Sequence, residues 1–259
     1  MTEIIAHRGA SRAEPENTLA AFRRAGELGA GWVELDVRPS SDRHLVVHHD
    51  PRYDDGRVIA ETVAEARPDA VPLLDDALDA CAGAGLRVNV EIKNDPGEPG
   101  YEPSGWFVAS VVDLIVGRDE VDRVVVSCFD RATLAQVRAR DPALATAWLT
   151  QNVPGPGAGR DAMLDSLVAA GHRGLHPWWG LADAELVAAC HARRLFVNVW
   201  TCDDPTVMAR LVAAGVDGIC TNVPDVAAAV LAGLGSGDAE RVSGPAPQRD
   251  RAPAPPAER

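Results

Sequence analysis

Three carboxylates occupy positions where strand alternation sends their side chains to one side. Glu34 and Asp36 alternate with apolar residues in the run from residue 32 to 37, and Glu91 does so in the run from 88 to 93. Successive side chains of a β-strand point to opposite faces of the sheet. The apolar residues are therefore expected to pack outward under helices, and the three carboxylates to point inward.

Carboxylates that share a confined space repel one another strongly where the dielectric constant is low, so they need raised pKa values or a compensating cation. A divalent metal ion is the simpler solution. An all-oxygen ligand set favours Mg²⁺ or Ca²⁺ over Zn²⁺. The alternative is a network without metal, in which Lys93, Arg8 or Arg38 neutralises the carboxylates. We predict one divalent ion, Mg²⁺ or Ca²⁺, at these carboxylates.

Short polar motifs follow one another in a defined order around the carboxylates. They are His7-Arg8-Gly9, Pro15-Glu16-Asn17-Thr18, Glu34-Leu35-Asp36-Val37, His49-Asp50 and Glu91-Ile92-Lys93. In order and approximate spacing this set resembles the HRG, PENT, ELDV, HD and EIK motifs of the glycerophosphodiester phosphodiesterase family. Each motif alone is a weak signal, whereas five in order form a strong one. The resemblance implies that Glu34, Asp36 and Glu91 are the metal ligands.

Two histidines are the candidate catalytic residues. His7 falls at the C-terminal end of the first predicted strand, on the face where barrel enzymes place their catalytic groups. Arg8 beside it suits bidentate binding of phosphate oxygens. Only His49 in the run from 44 to 49 precedes an aspartate, as in the HD motif, so we assign His44 and His48 to solvent or packing roles.

Further residues are candidates for substrate binding. Lys93 would balance negative charge on the phosphate together with Arg8. Asn17 opens a helical pattern, where it would cap free N–H groups, and it could also orient the substrate. Trp200, at the end of the seventh predicted strand, either walls the alcohol pocket or fills the top of the barrel. Ser127, Phe129 and Asn222 are similarly placed with weaker signals. His176 matches no motif; it could line the pocket, but we expect it to pack.

Strand-like runs alternate with helical patterns along most of the chain, which favours βα units and a parallel sheet. Four helical patterns end at a glycine just before a strand, where glycine takes the left-handed conformation without steric cost. Eight runs predict a closed (β/α)8 TIM barrel. The runs are Glu3–His7, Trp32–Val37, Val88–Lys93, Val124–Cys128, Ala145–Leu149, Gly174–His176, Phe196–Trp200 and Gly218–Asn222.

Two segments near the carboxylates depart from this alternation. The run from His44 to His49 lies too close to the second strand to leave room for a helix between them. We interpret residues 40–43 as a turn and the run as an extension of the second strand that folds back over the barrel mouth. A short insertion follows at residues 50–72, and the loop at residues 94–105 could cover the site.

The C-terminal end differs in composition from the rest. From Gly233 onward Gly, Ser, Pro, Ala and charged residues predominate without apolar periodicity, which is typical of disorder. The chain has 259 residues, a length that α/β barrels commonly reach as single domains. We therefore predict a catalytic barrel domain over residues 1–232 and a disordered tail over residues 233–259.

Composition limits the partners. The formal net charge of −13 and the lack of a Lys/Arg cluster argue against nucleic acid and a polybasic membrane patch. The five cysteines are widely spaced, without a CxxC pair, as in reduced intracellular proteins. Since the first strand starts almost at once, we expect no secretory signal, and no apolar run approaches the ~20 residues of a membrane span. We expect a cytoplasmic protein without a membrane anchor, and composition does not determine the oligomeric state.

These features and the family resemblance predict a metal-dependent phosphodiesterase that hydrolyses glycerophosphodiesters to glycerol 3-phosphate and an alcohol. His7 and His49 would divide the roles of general acid and general base between them, and the sequence leaves open which takes which. The nucleophile is either water or the neighbouring glycerol hydroxyl of the substrate. One alternative keeps the fold and the metal but acts on lysophospholipids, as a lysophospholipase D. Another is an inactive barrel that binds a phosphodiester or a partner. A broken motif would mark it, and none of the core residues is missing.

Overall fold

A computed structural model describes residues 2–235. Within this range nine strands and eight α-helices alternate along the chain. The strands are β1 Glu3–His7, β2 Trp32–Pro39, β3 Leu45–Val47, β4 Arg87–Ile92, β5 Val124–Cys128, β6 Ala145–Thr150, β7 Gly174–Pro177, β8 Phe196–Val199 and β9 Gly218–Thr221. The helices are α1 Leu19–Glu27, α2 Leu74–Gly83, α3 Trp106–Gly117, α4 Arg131–Arg140, α5 Ala158–Ala169, α6 Ala184–His191, α7 Pro205–Ala214 and α8 Pro224–Gly235.

Eight parallel strands close into a barrel, which confirms the predicted (β/α)8 fold. The order around the sheet is β1, β9, β8, β7, β6, β5, β4, β2, and a further pairing of β1 with β2 closes the ring. The helices surround it. The glycines that were predicted to end four helices all have positive φ; they are Gly29, Gly85, Gly171 and Gly215.

The main core lies between the barrel and its helices. Val33, Leu35 and Val37 of β2 belong to it and are fully buried. The apolar residues of β4 and β8 that were predicted to face outward belong to the same core; they are Val88, Val90, Ile92, Val197 and Val199. The strand alternation therefore has the predicted phase, and the intervening polar residues face the barrel interior.

The segment after β2 folds back as predicted, since β3 pairs antiparallel with β2 after a turn. The insertion that follows contains two short 3-10 turns, Ile59–Glu61 and Ala64–Ala66. Val46, Tyr53 and Ile59 form a small apolar cluster separate from the main core. The insertion therefore packs on residues of its own, next to the strand that carries two of the carboxylates.

The predicted boundary between barrel and tail needs a correction. Helix α8 continues to Gly235, so residues 233–235 belong to its last turn and not to the tail. A helix end can include residues of low apolar content, which composition alone does not reveal. The rest of the predicted tail lies outside the described residues. Within the described range, no helix combines the length and apolarity that crossing a bilayer requires.

Candidate active site

The three carboxylates meet at the barrel interior. Glu34 and Asp36 lie on β2 and Glu91 on β4, where Asp36 and Glu91 are register partners on adjacent parallel strands. All three are buried, and each contributes an oxygen to a group whose members lie within 4.8 Å of one another. Ca²⁺ binds oxygen at about 2.3–2.6 Å, so one ion between these oxygens could reach all of them.

Two cations already neutralise part of this cluster. Lys93 Nζ lies 2.6 Å from Glu91 Oε1 and 3.3 Å from Asp36 Oδ1. Arg8 Nε lies 3.5 Å from Asp36 Oδ2. Lys93 and Arg8 therefore neutralise carboxylates as the alternative without metal requires, whereas Arg38, the third cation considered for that network, does not.

Arg38 points away from the carboxylates. Its guanidinium pairs with Glu98 at 2.9 Å, and its Nε donates to the carbonyl oxygen of His49 at 2.6 Å. This pair joins β2 to the loop at residues 94–105. The loop itself contributes none of the described residues that line the site cavity. The loop is therefore tied to β2 and lies outside the wall of this cavity.

The electrostatic deficit of the cluster is concentrated on Glu34. Burial, with repulsion from Asp36 and Glu91, raises the pKa of Glu34 well above its ordinary value. Its Oε2 accepts a hydrogen bond from the Arg8 backbone N–H at 2.9 Å, but its buried Oε1 has no hydrogen-bond partner among residues 2–235. A buried carboxylate oxygen without a partner, beside two further carboxylates, fits a bound divalent cation.

Asp36 has the opposite shift. Burial alone would raise its pKa, but the charges of Lys93, His49 and Arg8 outweigh burial and hold the pKa well below the usual range. Asn17 adds a hydrogen bond from its Nδ2 to Asp36 Oδ2 at 2.8 Å. Asp36 is therefore ionised and fixed in place as a candidate ligand.

The structure corrects the prediction that Asn17 caps α1. The cap of α1 is Thr18, whose side chain accepts from Ala21 N–H, while Asn17 has a left-handed φ of 56°. Asn17 is buried and is not among the residues that line the cavity. Its Nδ2 bonds to Asp36 instead, so its position indicates support of a candidate ligand and not contact with substrate.

The turn after β1 brings Arg8 to the cluster. Arg8 and Gly9 have φ values of 55° and 82°. A Cβ atom on Gly9 would lie 2.7 Å from the carbonyl carbon of Ala21, so only glycine allows α1 to pack this close to the turn. The turn aims the Arg8 N–H at Glu34, and the Arg8 side chain spans from Asp36 to Glu16.

His7 and His49 both line the cavity. His7 Nδ1 lies 2.7 Å from Asn222 Oδ1, and burial, with the charge of Arg8 beside it, lowers the pKa of His7 to about 4. His49 Nδ1 lies 2.7 Å from the Asp50 carboxylate, and burial lowers the pKa of His49 as well. Burial therefore favours the neutral form of both rings, while the Asp50 carboxylate favours the protonated form of His49.

The other two histidines of the run from residue 44 to 49 lie elsewhere. His44 is exposed, with Nδ1 at 3.3 Å from Asp42. The ring of His48 lies edge to face with Tyr53, with centroids 5.5 Å apart. Neither lines the cavity, in keeping with the solvent and packing roles assigned to them.

The cavity has a volume of about 420 Å³ and opens at the carboxyl ends of the barrel strands. Lys93 and Trp200 are in its wall. Trp200 donates from Nε1 to the His176 carbonyl at 2.8 Å and meets Phe129 edge to face. The residues that line the cavity are Ile5, His7, Arg8, Glu34, His49, Asp50, Asn89, Glu91, Lys93, Phe129, Leu149, His176, Asn198, Trp200, Thr201, Cys220 and Asn222.

Several residues in or near the cavity wall had weak signals in the sequence or none. His176 lines the cavity as well as packing, and Asn222 contacts His7 directly. Ser127 is buried but does not line the cavity. Asp203, which binds Asn222, was not predicted at all. Its signal is a contact between two loops, which no local sequence pattern contains.

Paired histidines and a buried carboxylate cluster at the carboxyl ends of the strands define a (β/α)8-barrel enzyme. Residues 7–226 match the glycerophosphoryl diester phosphodiesterase family, and the chain belongs to that family. It is 32% identical over 243 residues to a glycerophosphodiester phosphodiesterase of Caldanaerobacter subterraneus subsp. tengcongensis, covering 86% of this chain and 95% of that protein.

A second relative and a solved structure agree with this membership. A glycerophosphodiester phosphodiesterase of Bacillus altitudinis is 31% identical over 245 residues, which are 87% of this chain and 96% of that protein. The structure of an Oleispira antarctica phosphodiesterase in complex with the product sn-glycerol-3-phosphate is similar, with a TM-score of 0.79 and 26% identity. That comparison covers 90% of this chain and 97% of the other.

Proposed function

We propose that this protein is a metal-dependent glycerophosphodiester phosphodiesterase, which hydrolyses a glycerophosphodiester to glycerol 3-phosphate and an alcohol. The observation that carries the proposal is a group of three buried carboxylates beside a cavity that His7 and His49 line. Family membership and the product complex of the Oleispira antarctica protein support the substrate class. We also propose a cytoplasmic location, because the five cysteines are free and buried.

Glu34, Asp36 and Glu91 would hold one divalent ion, Mg²⁺ or Ca²⁺. When bound, the ion supplies a Lewis acid for a phosphoryl oxygen and offsets the charge of the cluster. The partnerless Oε1 of Glu34 supports this proposal over a network of Lys93 and Arg8 alone.

Arg8 and Lys93 bind the phosphate in this proposal. Both line the cavity beside the carboxylates, and their charges would stabilise the negative charge that develops on the phosphoryl oxygens. Arg8 is also held by Glu16 at 2.9 Å, which fixes its guanidinium near the cavity before substrate arrives. Trp200 and Phe129 would form the apolar wall for the alcohol group.

His7 and His49 divide the proton transfers. A neutral histidine removes the proton of the nucleophile, and a protonated one donates to the leaving alkoxide. We assign His7 as the base and His49 as the acid. Asp50, beside His49 Nδ1, would stabilise the protonated ring of His49, whereas the partner of His7 is a neutral amide. The nucleophile is either water or the neighbouring glycerol hydroxyl.

A substrate panel tests the proposed function. The purified protein is incubated with several glycerophosphodiesters and a lysophospholipid, with Mg²⁺, with Ca²⁺ and with excess chelator, and glycerol 3-phosphate is measured. We expect metal-dependent release from glycerophosphodiesters and a much lower rate on the lysophospholipid. A preference for the lysophospholipid would favour the lysophospholipase D alternative. Binding without turnover of any substrate would favour the inactive barrel.

A further inference from the structure

A chain of hydrogen bonds runs around the barrel rim to His7. His7 at the end of β1 contacts Asn222 Oδ1, which lies just after β9, at 2.7 Å. Asn222 Nδ2 donates to Oδ2 of Asp203, in the loop after β8, at 2.7 Å. The three strands are neighbours in the barrel, so residues that lie far apart in the sequence meet at its rim.

Asp203 is fixed in one orientation. Its Oδ1 accepts from the Asn222 backbone N–H at 2.8 Å and from Thr221 Oγ1 at 2.9 Å. The Val223 N–H donates to Thr221 Oγ1 at 3.1 Å, which directs the threonine hydroxyl proton toward Asp203. Because an ionised carboxylate only accepts hydrogen bonds, the Asn222 group that faces it must be the amide nitrogen.

The orientation of Asn222 then determines the proton position on His7. With Nδ2 toward Asp203, Oδ1 is the atom that faces His7 Nδ1, and an amide oxygen only accepts. His7 must therefore carry its proton on Nδ1, which leaves the lone pair on Nε2. Ser11 Oγ, at 2.8 Å from the same oxygen, does not decide the direction, since a hydroxyl both donates and accepts.

We infer that Asp203, acting through Asn222, is a positioning residue that holds His7 in the tautomer with a proton on Nδ1 and a lone pair on Nε2. The consequence for catalysis rests on the proposed function, in which His7 is the base and needs that lone pair. A catalytic histidine held in the wrong tautomer loses on the order of 10⁴-fold in turnover.

The variant Asp203→Asn should reverse the direction of the hydrogen bonds between residue 203, Asn222 and His7. The new amide at position 203 must keep its oxygen toward the backbone N–H of Asn222, so its nitrogen faces Asn222 Nδ2. Two donors in opposition are relieved when the Asn222 amide turns over, which presents its nitrogen to His7 Nδ1 and moves the ring proton to Nε2. We expect turnover to fall by roughly 10²–10⁴-fold.

Asp204→Asn is the matched control. Asp204 undergoes the same chemical change one residue along the chain, but it caps α7 by accepting from Thr206 and Val207 N–H. Asparagine caps helices about as well as aspartate, so this variant should keep its stability and the wild-type tautomer of His7.

The exchange variant Asp203→Asn/Asn222→Asp supplies the rescue. It places a carboxylate beside His7 and an amide beside Thr221, so that every hydrogen bond of the chain can form again with the proton of His7 on Nδ1. We expect at least a tenfold recovery of kcat over Asp203→Asn. A purely structural role of Asp203 would make the second change additive and harmful.

The experiment is a two-bond ¹H–¹⁵N correlation spectrum of ¹⁵N-histidine-labelled protein near pH 8 with Mg²⁺, with His7 signals assigned by their loss in His7→Gln. The expected pattern is the Nδ1–H tautomer in the wild type, the control and the exchange variant, and loss of its dominance in Asp203→Asn. An unchanged tautomer in folded Asp203→Asn, or a changed tautomer with unchanged kcat, would overturn the inference. A wild type that turns over no glycerophosphodiester would refute the proposed function, while the spectra still decide the tautomer.

Discussion

Replacing Asn17 should weaken metal binding without touching a ligand. Asn17 Nδ2 donates to Asp36 Oδ2 at 2.8 Å in a buried setting, and a hydrogen bond to a charged group contributes about 1.5–3 kcal/mol. Loss of a residue that orients a metal ligand typically costs about 10–100-fold in affinity. The two magnitudes agree, since about 1.4 kcal/mol corresponds to tenfold. We expect the dissociation constant for Mg²⁺ or Ca²⁺ to rise 10- to 100-fold in Asn17→Gly.

The comparison of two variants separates the hydrogen bond from backbone strain. Asn17 has a φ of 56°, which glycine adopts freely and alanine only at a cost of order 1 kcal/mol. Asn17→Gly and Asn17→Ala should therefore lose similar metal affinity in titration calorimetry, while Asn17→Ala melts at a lower temperature. A dissociation constant within twofold of wild type in Asn17→Gly would refute the role given to this hydrogen bond.

Three further predictions concern the histidines and the C-terminal end. His49→Ala should lose roughly 10²–10⁴-fold in turnover of a glycerophosphodiester but far less with a p-nitrophenyl phosphodiester, whose leaving group needs no proton. His7→Ala should lose turnover of both substrates, and His48→Ala of neither. If instead His7→Ala were the variant rescued by the better leaving group, His7 would be the acid and His49 the base. Removal of everything after Gly235 should leave activity and melting temperature nearly unchanged, because those residues show no apolar periodicity, and a drop of several degrees would contradict this. Burial lowers the pKa of His176 to about 3, so below the unfolded pKa near 6.5 the unfolded protein binds a proton that the folded protein does not. From pH 8 to pH 5 the free energy of unfolding, measured by urea titration, should therefore fall by about 2 kcal/mol more in the wild type than in His176→Gln. Equal losses would show that His176 titrates normally.

Strand alternation was sufficient to predict which carboxylates share the barrel interior. In β2 and β4 only one assignment of the two strand faces is possible. The opposite assignment would bury the carboxylates and other polar side chains under the helices. The same pattern could not predict Asn17, since the cap position moved by one residue to Thr18 when Asn17 took a left-handed φ. Local spacing predicts that a helix begins but leaves the identity of the cap open.

The hydrogen-bond chain to His7 marks the limit of local patterns. Asn222 lies 215 positions from His7 in the sequence, and the two meet, with Asp203 next to Asn222, only because β1, β9 and β8 are consecutive in the closed barrel. The polarity of such a chain depends on which amide atom faces which partner, and residue types alone leave this open. Contacts of this kind require the closed fold before they can be predicted.

The most direct test of the account is metal binding and activity measured together on wild type and Glu34→Gln. Titration calorimetry of dialysed protein with Mg²⁺ and with Ca²⁺ gives the stoichiometry, and glycerol 3-phosphate release at each metal concentration gives the activity. The account predicts one site per chain, activity that rises in proportion to its occupancy, and loss of both in Glu34→Gln, since this change removes the charge of the carboxylate with the partnerless Oε1. Full activity of the wild type in excess chelator, with no measurable metal binding, would contradict it.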